Sequence, residues 1–239
     1  MRHIQAYAET RHADLVDEPL FRTFASDPPI TRTLQILPSL TFWSLAFQDL
    51  MALNLRHMRD PTLRAIAETH HHEDSGHEVW FLHDLRLIHG ELPDLPELFD
   101  GETLGARDIA YALVSEVYRC ESDWERLALP IVLEEGAKIF LPALIAHFDR
   151  AGLGQRLKSL GRLHTDTEAE HTLHGDDAAS LAAMEAPDFA RARAREMTDR
   201  VRQVFVRFAR RLDHVVTNSS PERERVLARR LAEIVGDGA

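Results

Sequence analysis

Two segments of the chain carry the same spacing of metal-binding residue types, and this repetition constrains how the chain can fold. Both read His-x3-acid-x2-His; the first comprises His70, Asp74 and His77, and the second comprises His164, Glu168 and His171. On a helix that turns about 100° per residue, offsets of 0, 4 and 7 fall within roughly 60° of arc. Each triplet is therefore predicted to project from one helix face, and two such faces turned towards each other could enclose metal ions.

Composition sets the class of protein. The 239 residues are 44% apolar, which is enough for a real core, and the net charge of -11 argues against nucleic acid as a partner. Cys120 is the only cysteine, so a bound metal would be held by nitrogen and oxygen ligands. The first residues contain no apolar signal core, and no segment approaches the roughly 20 apolar residues of a membrane span. These features predict a cytoplasmic protein without a membrane partner.

Proline and glycine residues divide the chain into predicted helices. Pro28-Pro29 closes an N-terminal segment, and the apolar residues that follow have helical spacing. Asp60 before Pro61 predicts the N-terminus of a helix that runs to His89 and holds the first triplet, and Gly90 ends it. The 90–105 segment is predicted to be a connection within one domain.

The second half of the chain also has a helical pattern. Residues 106–148 contain Pro130 and Pro142, which predicts either two helices or one kinked helix. The glycines of 151–154 break the chain before the second triplet, and further helices begin near Pro187 and Pro221. The apolar stripe at 197–215 could pack internally or form a homodimer face. No convincing period-two pattern occurs, so we predict an all-α, single-domain bundle of about seven helices over residues 1–239, with its metal site within about 40–180.

The candidate ligands include further carboxylates. Glu73 lies on the same helix face as the first triplet and is a reserve for Asp74, which matches Glu168 in position. A carboxylate-rich site in a helical bundle usually takes another glutamate from a separate helix. Glu134 shares a face with apolar residues and is preferred, whereas Glu135 shares a face with Lys138; Glu116 is a weaker candidate.

This ligand set favours a pair of iron ions. Four imidazoles and about three carboxylates suit two octahedral Fe or Mn ions, while a zinc site needs only four ligands. The set leaves coordination positions open for dioxygen, so redox chemistry is favoured over hydrolysis. Trp43, Phe47, Trp80 and Phe81 are candidates for the lining of a dry pocket, with an ordinary core role as the alternative for each.

The motif HTDTEAEH, with a single glutamate about 30 residues before it and GHEVWFLHDL as support, resembles the haem-oxygenase-like diiron oxidase and oxygenase superfamily. That superfamily is related to thiaminase-II-like, pyrroloquinoline-quinone-synthase-like and chlamydial death-domain-associated proteins. The resemblance covers roughly residues 35–180. It implies a haem-oxygenase-like helical fold that binds two ferrous ions and uses dioxygen as co-substrate.

The resemblance also implies roles for individual residues. His164, Glu168 and His171 look like the ligands of the final helix, Glu134 like the bridging glutamate, and His77 like the early histidine, with Asp74 three residues before it. His70 stands where relatives usually have a glutamate, and the preceding helix offers only Gln48 and Asp49 in its place. The resemblance therefore implies one tightly held iron and one labile iron.

The implied activity is oxidation of a small amino-acid-like or carboxylic acid substrate in specialised metabolism, by N-oxygenation or by oxidative C–C cleavage that forms a nitrile or an alkene. Arg107 or Arg119 could hold a substrate carboxylate, and an external electron donor could take part. Two alternatives stay open: a metal-free cofactor-processing protein of the thiaminase-II or pyrroloquinoline-quinone-synthase type, and a ferritin-like ferroxidase.

Overall fold

The protein is helical throughout the part of the chain that the structure describes, and no strand occurs there. The structure is a computed structural model that describes residues 1–101, 103–168, 181 and 183–236. Ten of the α-helices within those ranges have at least seven residues, so the predicted all-α class is confirmed but with more helices than the seven or so expected. In chain order the helices are α1 (Arg2–His12), α2 (Pro19–Ala25), α3 (Ile30–Thr33), α4 (Leu37–His57), α5 (Pro61–Glu73), α6 (His77–His89), α7 (Leu95–Leu98), α8 (Leu104–Arg119), α9 (Asp123–Arg150), α10 (Arg162–Glu168), α11 (Asp188–Thr217) and α12 (Pro221–Gly236).

The prediction of one continuous helix from Pro61 to His89 is wrong, because the chain breaks between α5 and α6. The amide of Asp74 still donates to the His70 carbonyl, but Gly76 then adopts φ = 101°, in the left-handed region. Glycine enters this region without the steric cost that a Cβ brings. The Gly76 amide donates to the Glu78 side chain at 3.0 Å, which gives the broken backbone a partner. His77 therefore begins a new helix and does not share a face with His70 and Asp74.

The region 106–148 forms two helices, one of the two alternatives that the sequence left open. The break lies at Cys120–Ser122 and not at a proline, and both Pro130 and Pro142 lie within α9. Ser122 caps α9 by accepting a hydrogen bond from the Glu125 amide, and the Glu121 amide donates to the Glu125 carboxylate. The Ser122-x-x-Glu125 spacing is the sequence signature of a helix N-terminus, although Glu125 here accepts from the Glu121 amide and not from that of Ser122.

One hydrophobic core extends from Met1 to Ile234, which is consistent with a single-domain bundle. Helix α9 is buried on several sides, and Gly136 allows the close approach of Phe205 from α11. A Cβ added at Gly136 would lie 2.2 Å from the Phe205 ring. The stripe on α11 is buried inside the protein, so it is not available as a dimer face; its buried members are Met197, Val201, Val204, Phe205, Phe208 and Leu212.

The stretch Ile30–His57 is long and apolar enough to cross a membrane by length and composition alone, contrary to the expectation that no segment approaches this limit. The stretch is divided into α3, a short 3-10 turn and α4. Leu34, Ile36 and Leu37 are fully buried in the core, and α4 packs against α8 and α6. Core helices satisfy the same length and composition test.

Candidate metal centre

Three candidate ligands from two parts of the chain meet in the interior. His70 lies in the last turn of α5, Asp74 directly follows that helix, and Glu134 lies in α9. His70 Nε2 is 2.9 Å from Glu134 Oε1 and 3.2 Å from Asp74 Oδ2. One ligand atom from each of the three residues lies within 4.8 Å of the others. His70 and Asp74 are buried, and the Glu134 side chain is 14% exposed.

These separations suit the coordination sphere of a metal ion. With bonds of about 2.1 Å, neighbouring ligand atoms at right angles around one ion lie about 3 Å apart. Nε2 of His70 faces the two carboxylates, and its Nδ1 has no hydrogen-bond partner among the residues that the structure describes, although the ring is only 2% exposed. A buried imidazole normally has hydrogen-bonding partners. One nitrogen and two carboxylate oxygens fit a hard or borderline cation such as Fe(II) or Mn(II).

The charges of this cluster depend on one another. Burial disfavours the charged form of His70, but the close contact with Glu134 and the charge of Asp74 outweigh it, so the pKa of His70 is raised to about 9. In the metal-free protein the protonated ring of His70 therefore interacts with both carboxylates, those of Glu134 and Asp74. A divalent cation would replace that proton and neutralise the same two carboxylates.

Helix α4 supports the cluster through a side chain that holds the backbone of Asp74. Gln48 Nε2 donates to the Asp74 carbonyl at 2.8 Å, so the residue that stands near the expected glutamate position holds the α5–α6 connection. Asp49 is exposed, and Glu73 is partly buried with its negative charge acting on His70. The sequence offered Gln48 only as a departure from the family pattern, and its role in holding the connection was missed.

The first member of the second triplet lies beside His77. The His77 and His164 rings have centroids 4.8 Å apart, and Trp80 stacks on His77 at 4.7 Å. His164 is buried, and its Nδ1 lies 2.6 Å from the Ser159 carbonyl oxygen. Because that oxygen can only accept, Nδ1 carries a hydrogen and donates it, which leaves Nε2 as the ring atom that could bind a metal ion. Such an arrangement is usual for metal-binding histidines.

The remaining candidate ligands are placed as follows. Glu168 is the last residue of α10, but its side chain, like the whole of His171, lies outside the described residues. Glu135 shares its face with Lys138, as predicted, but it is buried, and it accepts from Gln5 at 3.1 Å and from Lys138 at 2.6 Å. Glu116 is buried in a paired contact with Arg200 and takes no part in the cluster.

The candidate pocket and substrate residues lie in different environments. Trp43 stacks on Phe208 at 4.7 Å and Phe81 is 1% exposed, so both are core residues. Trp80 contacts the candidate ligands, with its ring 6.3 Å from that of His164. Arg107 is buried and donates to the Leu98 and Asp100 carbonyls. Its guanidinium is thus already engaged with the backbone and is not placed to bind a substrate carboxylate.

Two other candidates lie near the surface. Phe47 is only partly buried against the core. The Arg119 side chain is 59% exposed and lies 3.5 Å from Glu116. The pocket assignment therefore rests on Trp80, whose ring contacts those of His77 and His164.

No family model matches this sequence, and no curated protein shows significant similarity to it.

Proposed function

We propose that the protein is a non-haem diiron enzyme that uses dioxygen to oxidise a small amino-acid-like or carboxylic acid substrate. The observation that carries this proposal is the buried cluster of His70, Asp74 and Glu134, whose ligand atoms are close enough to one another to bind a single metal ion. The His77 and His164 rings, which lie against each other, offer a second group of nitrogen donors. The family resemblance supplies the identity of the metal and the reaction class.

Bound ferrous iron would supply electrons to dioxygen and thereby generate the oxidant. The protein's own residues have other tasks. Asp74 and Glu134 offset the charge of the cations in a buried place, and His70 offers a neutral nitrogen donor once its proton is lost. Gln48 fixes the backbone of Asp74, so the carboxylate does not have to be positioned when the metal arrives.

Trp80 has the task of excluding water. Its ring stacks on His77 and lies edge-on to His164, so it covers one side of this histidine pair with an apolar surface. A water-poor environment strengthens the electrostatic interactions around a charged centre and protects a reactive species from hydrolysis. This placement supports a substrate position on the Trp80 side of the centre.

Cys120 argues against the thiaminase-II-like alternative. That type of enzyme would rely on a cysteine nucleophile, and the nucleophile is the thiolate. Cys120 is buried, and this burial raises the pKa of its thiol to about 12. Its sulfur donates to the Glu116 carbonyl at 3.2 Å, a contact that holds a buried thiol at the end of α8.

The proposal is tested by anaerobic iron loading. Wild-type protein should bind two ferrous ions per chain, and admission of oxygen with a suitable substrate should give a transient visible absorption band. Glu134→Gln should lose iron, while the matched Glu135→Gln should retain it, because Glu135 contacts Gln5 and Lys138 instead. Fewer than one iron per wild-type chain, or equal iron in both variants, would refute the proposal. Oxidation of many irons per chain without substrate would instead support the ferroxidase alternative.

A further inference from the structure

Helix α6 carries a second functional group on the face that bears His77. Asp84 follows His77 by seven residues, which places both side chains on nearly the same side of the helix, two turns apart. Its carboxylate is fully buried. A buried carboxylate is costly unless hydrogen bonds satisfy its oxygens, so its partners explain why it is there.

The partners of Asp84 are three consecutive backbone amides. Oδ1 accepts from the Lys158 amide at 2.7 Å, and Oδ2 accepts from the amides of Ser159 and Leu160 at 2.8 and 3.0 Å. Nδ1 of the neighbouring His83 lies 3.2 Å from Oδ1. The carboxylate therefore fixes the path of the 158–160 connection.

This connection controls His164. The amide of Ser159 donates to Asp84, while the carbonyl of Ser159 accepts from His164 Nδ1 at 2.6 Å. The start of α10 is held as well, because Arg162 makes a paired contact with Asp149 at 2.8 and 3.0 Å. Gly161 fits tightly, since an added Cβ would lie 2.0 Å from the Leu157 carbonyl oxygen. A shift of the connection would have to move the acceptor of the His164 ring.

We propose that Asp84 is a positioning residue, which sets the ring orientation and the tautomer of His164 through the backbone of Ser159. The role in metal binding rests on the proposed function, because it assumes that Nε2 of His164 faces a metal ion. The effect of Asp84 on the tautomer of His164 does not depend on a bound metal. Helix α6 would then act on His164 at two points, through the ring of His77 and through the 158–160 connection.

The tautomer is read by nitrogen-15 NMR of the histidine rings in the metal-free protein at mildly alkaline pH, with His164 assigned from the signals lost in His164→Gln. Wild type should show hydrogen on Nδ1. Asp84→Asn, which keeps the size of the side chain but loses the second acceptor oxygen, should shift these signals towards a mixture of tautomers. Hydrogen on Nε2 in wild type, or unchanged signals in folded Asp84→Asn, would overturn the proposal.

The matched control is Asp123→Asn. Asp123 likewise accepts from two consecutive amides, those of Arg59 and Asp60, and in the described part of the chain it contacts none of the candidate ligands. The Asp123→Asn variant should leave the His164 signals unchanged. An equal effect of Asp84→Asn and Asp123→Asn on these signals would overturn the proposal. If Asp84→Asn does not fold, the comparison of wild type with Asp84→Glu decides whether the proposal holds. The longer side chain displaces the carboxylate, which should still shift the nitrogen-15 signals of His164.

Anaerobic titration with Co(II), followed by absorption, gives the metal readout. Loss of a group that orients a ligand typically costs about 10- to 100-fold in metal affinity. Asp84→Asn should therefore weaken one of two binding steps by this factor and leave the other unchanged. If wild type binds two ions and Asp84→Asn binds both normally, this inference fails alone. If wild type binds none, the proposed function fails, and the tautomer comparison still decides the role of Asp84.

Discussion

The imidazole rings of His77 and His164 lie with their centroids 4.8 Å apart and their planes at 59°. His77 is the first residue of α6, and His164 lies in α10. The sequence pattern grouped His77 with His70 and Asp74, but the structure places His70 and Asp74 beside Glu134 and His77 beside His164. The left-handed Gly76 between them makes this division.

Gly76→Ala should destabilise the protein and disturb the centre. In the described part of the chain, a Cβ at φ = 101° would meet no atom within 4 Å, so the expected cost is that of backbone strain, about 1–2 kcal/mol in the free energy of unfolding. Urea denaturation measures this cost. Gly101→Ala is the control, because Gly101 also has open space but does not adopt a positive φ. Equal stability of the two variants would contradict the assigned break.

Gly136→Ala should destabilise by overpacking, by about 1–3 kcal/mol, because its Cβ would overlap the Phe205 ring. Phe205→Leu shortens the obstructing side chain and has its own cost as a large-to-small change in the core. The double variant should be more stable than the sum of the two single effects predicts. Strict additivity in thermal or urea unfolding would show that α9 and α11 do not meet at this point.

His12 should make the stability of the protein depend on pH. Burial lowers the pKa of His12 to about 4, below the value of about 6.5 in an unfolded chain, so the unfolded state binds the proton more readily. The contribution is complete above about pH 6.5 and is lost as the pH falls towards 4, by roughly 3 kcal/mol at most. His12→Leu should flatten this part of the stability profile. His3→Leu changes an exposed histidine of the same helix and should leave the slope as in wild type.

Cys120 should react with thiol reagents only when the protein unfolds. With a pKa of about 12, its thiolate fraction near neutral pH is about three orders of magnitude below that of an ordinary cysteine. Labelling by iodoacetamide should therefore be at least about 10³-fold slower than for glutathione and should reach normal rates in denaturant. Rapid labelling of the folded protein, or loss of substrate turnover in Cys120→Ala, would restore the cysteine-dependent alternative.

Iron should leave the protein in two phases when a chelator is added. The family resemblance implies a tight and a labile ion, and the structure contains two separate groups of donors, around His70 and around His164. His70→Asn should remove one phase and preserve the other. A single phase in both proteins would show that the two groups act as one site.

Local sequence determined most of the helices. Asp60 accepts from the amides of Thr62 and Leu63 and starts α5, and Gly90 ends α6 with φ = 85°. The apolar spacing on α11 predicted one apolar stripe and left its partner open, and the structure buries that stripe inside the protein. Capping and amphipathic spacing depend on residues within a turn or two of each other, so they can be read without knowledge of the rest of the chain.

Only the tertiary structure decided which candidates meet. Periodicity favoured Glu134 over Glu135, yet both are largely removed from solvent, and the contact with His70 is what distinguishes Glu134. Nothing local shows that His77 lies against His164, or that Asp84 holds the connection before α10. These relationships depend on how helix faces that are distant in the chain pack together and on a single left-handed glycine, because packing across the core is a property of the whole chain.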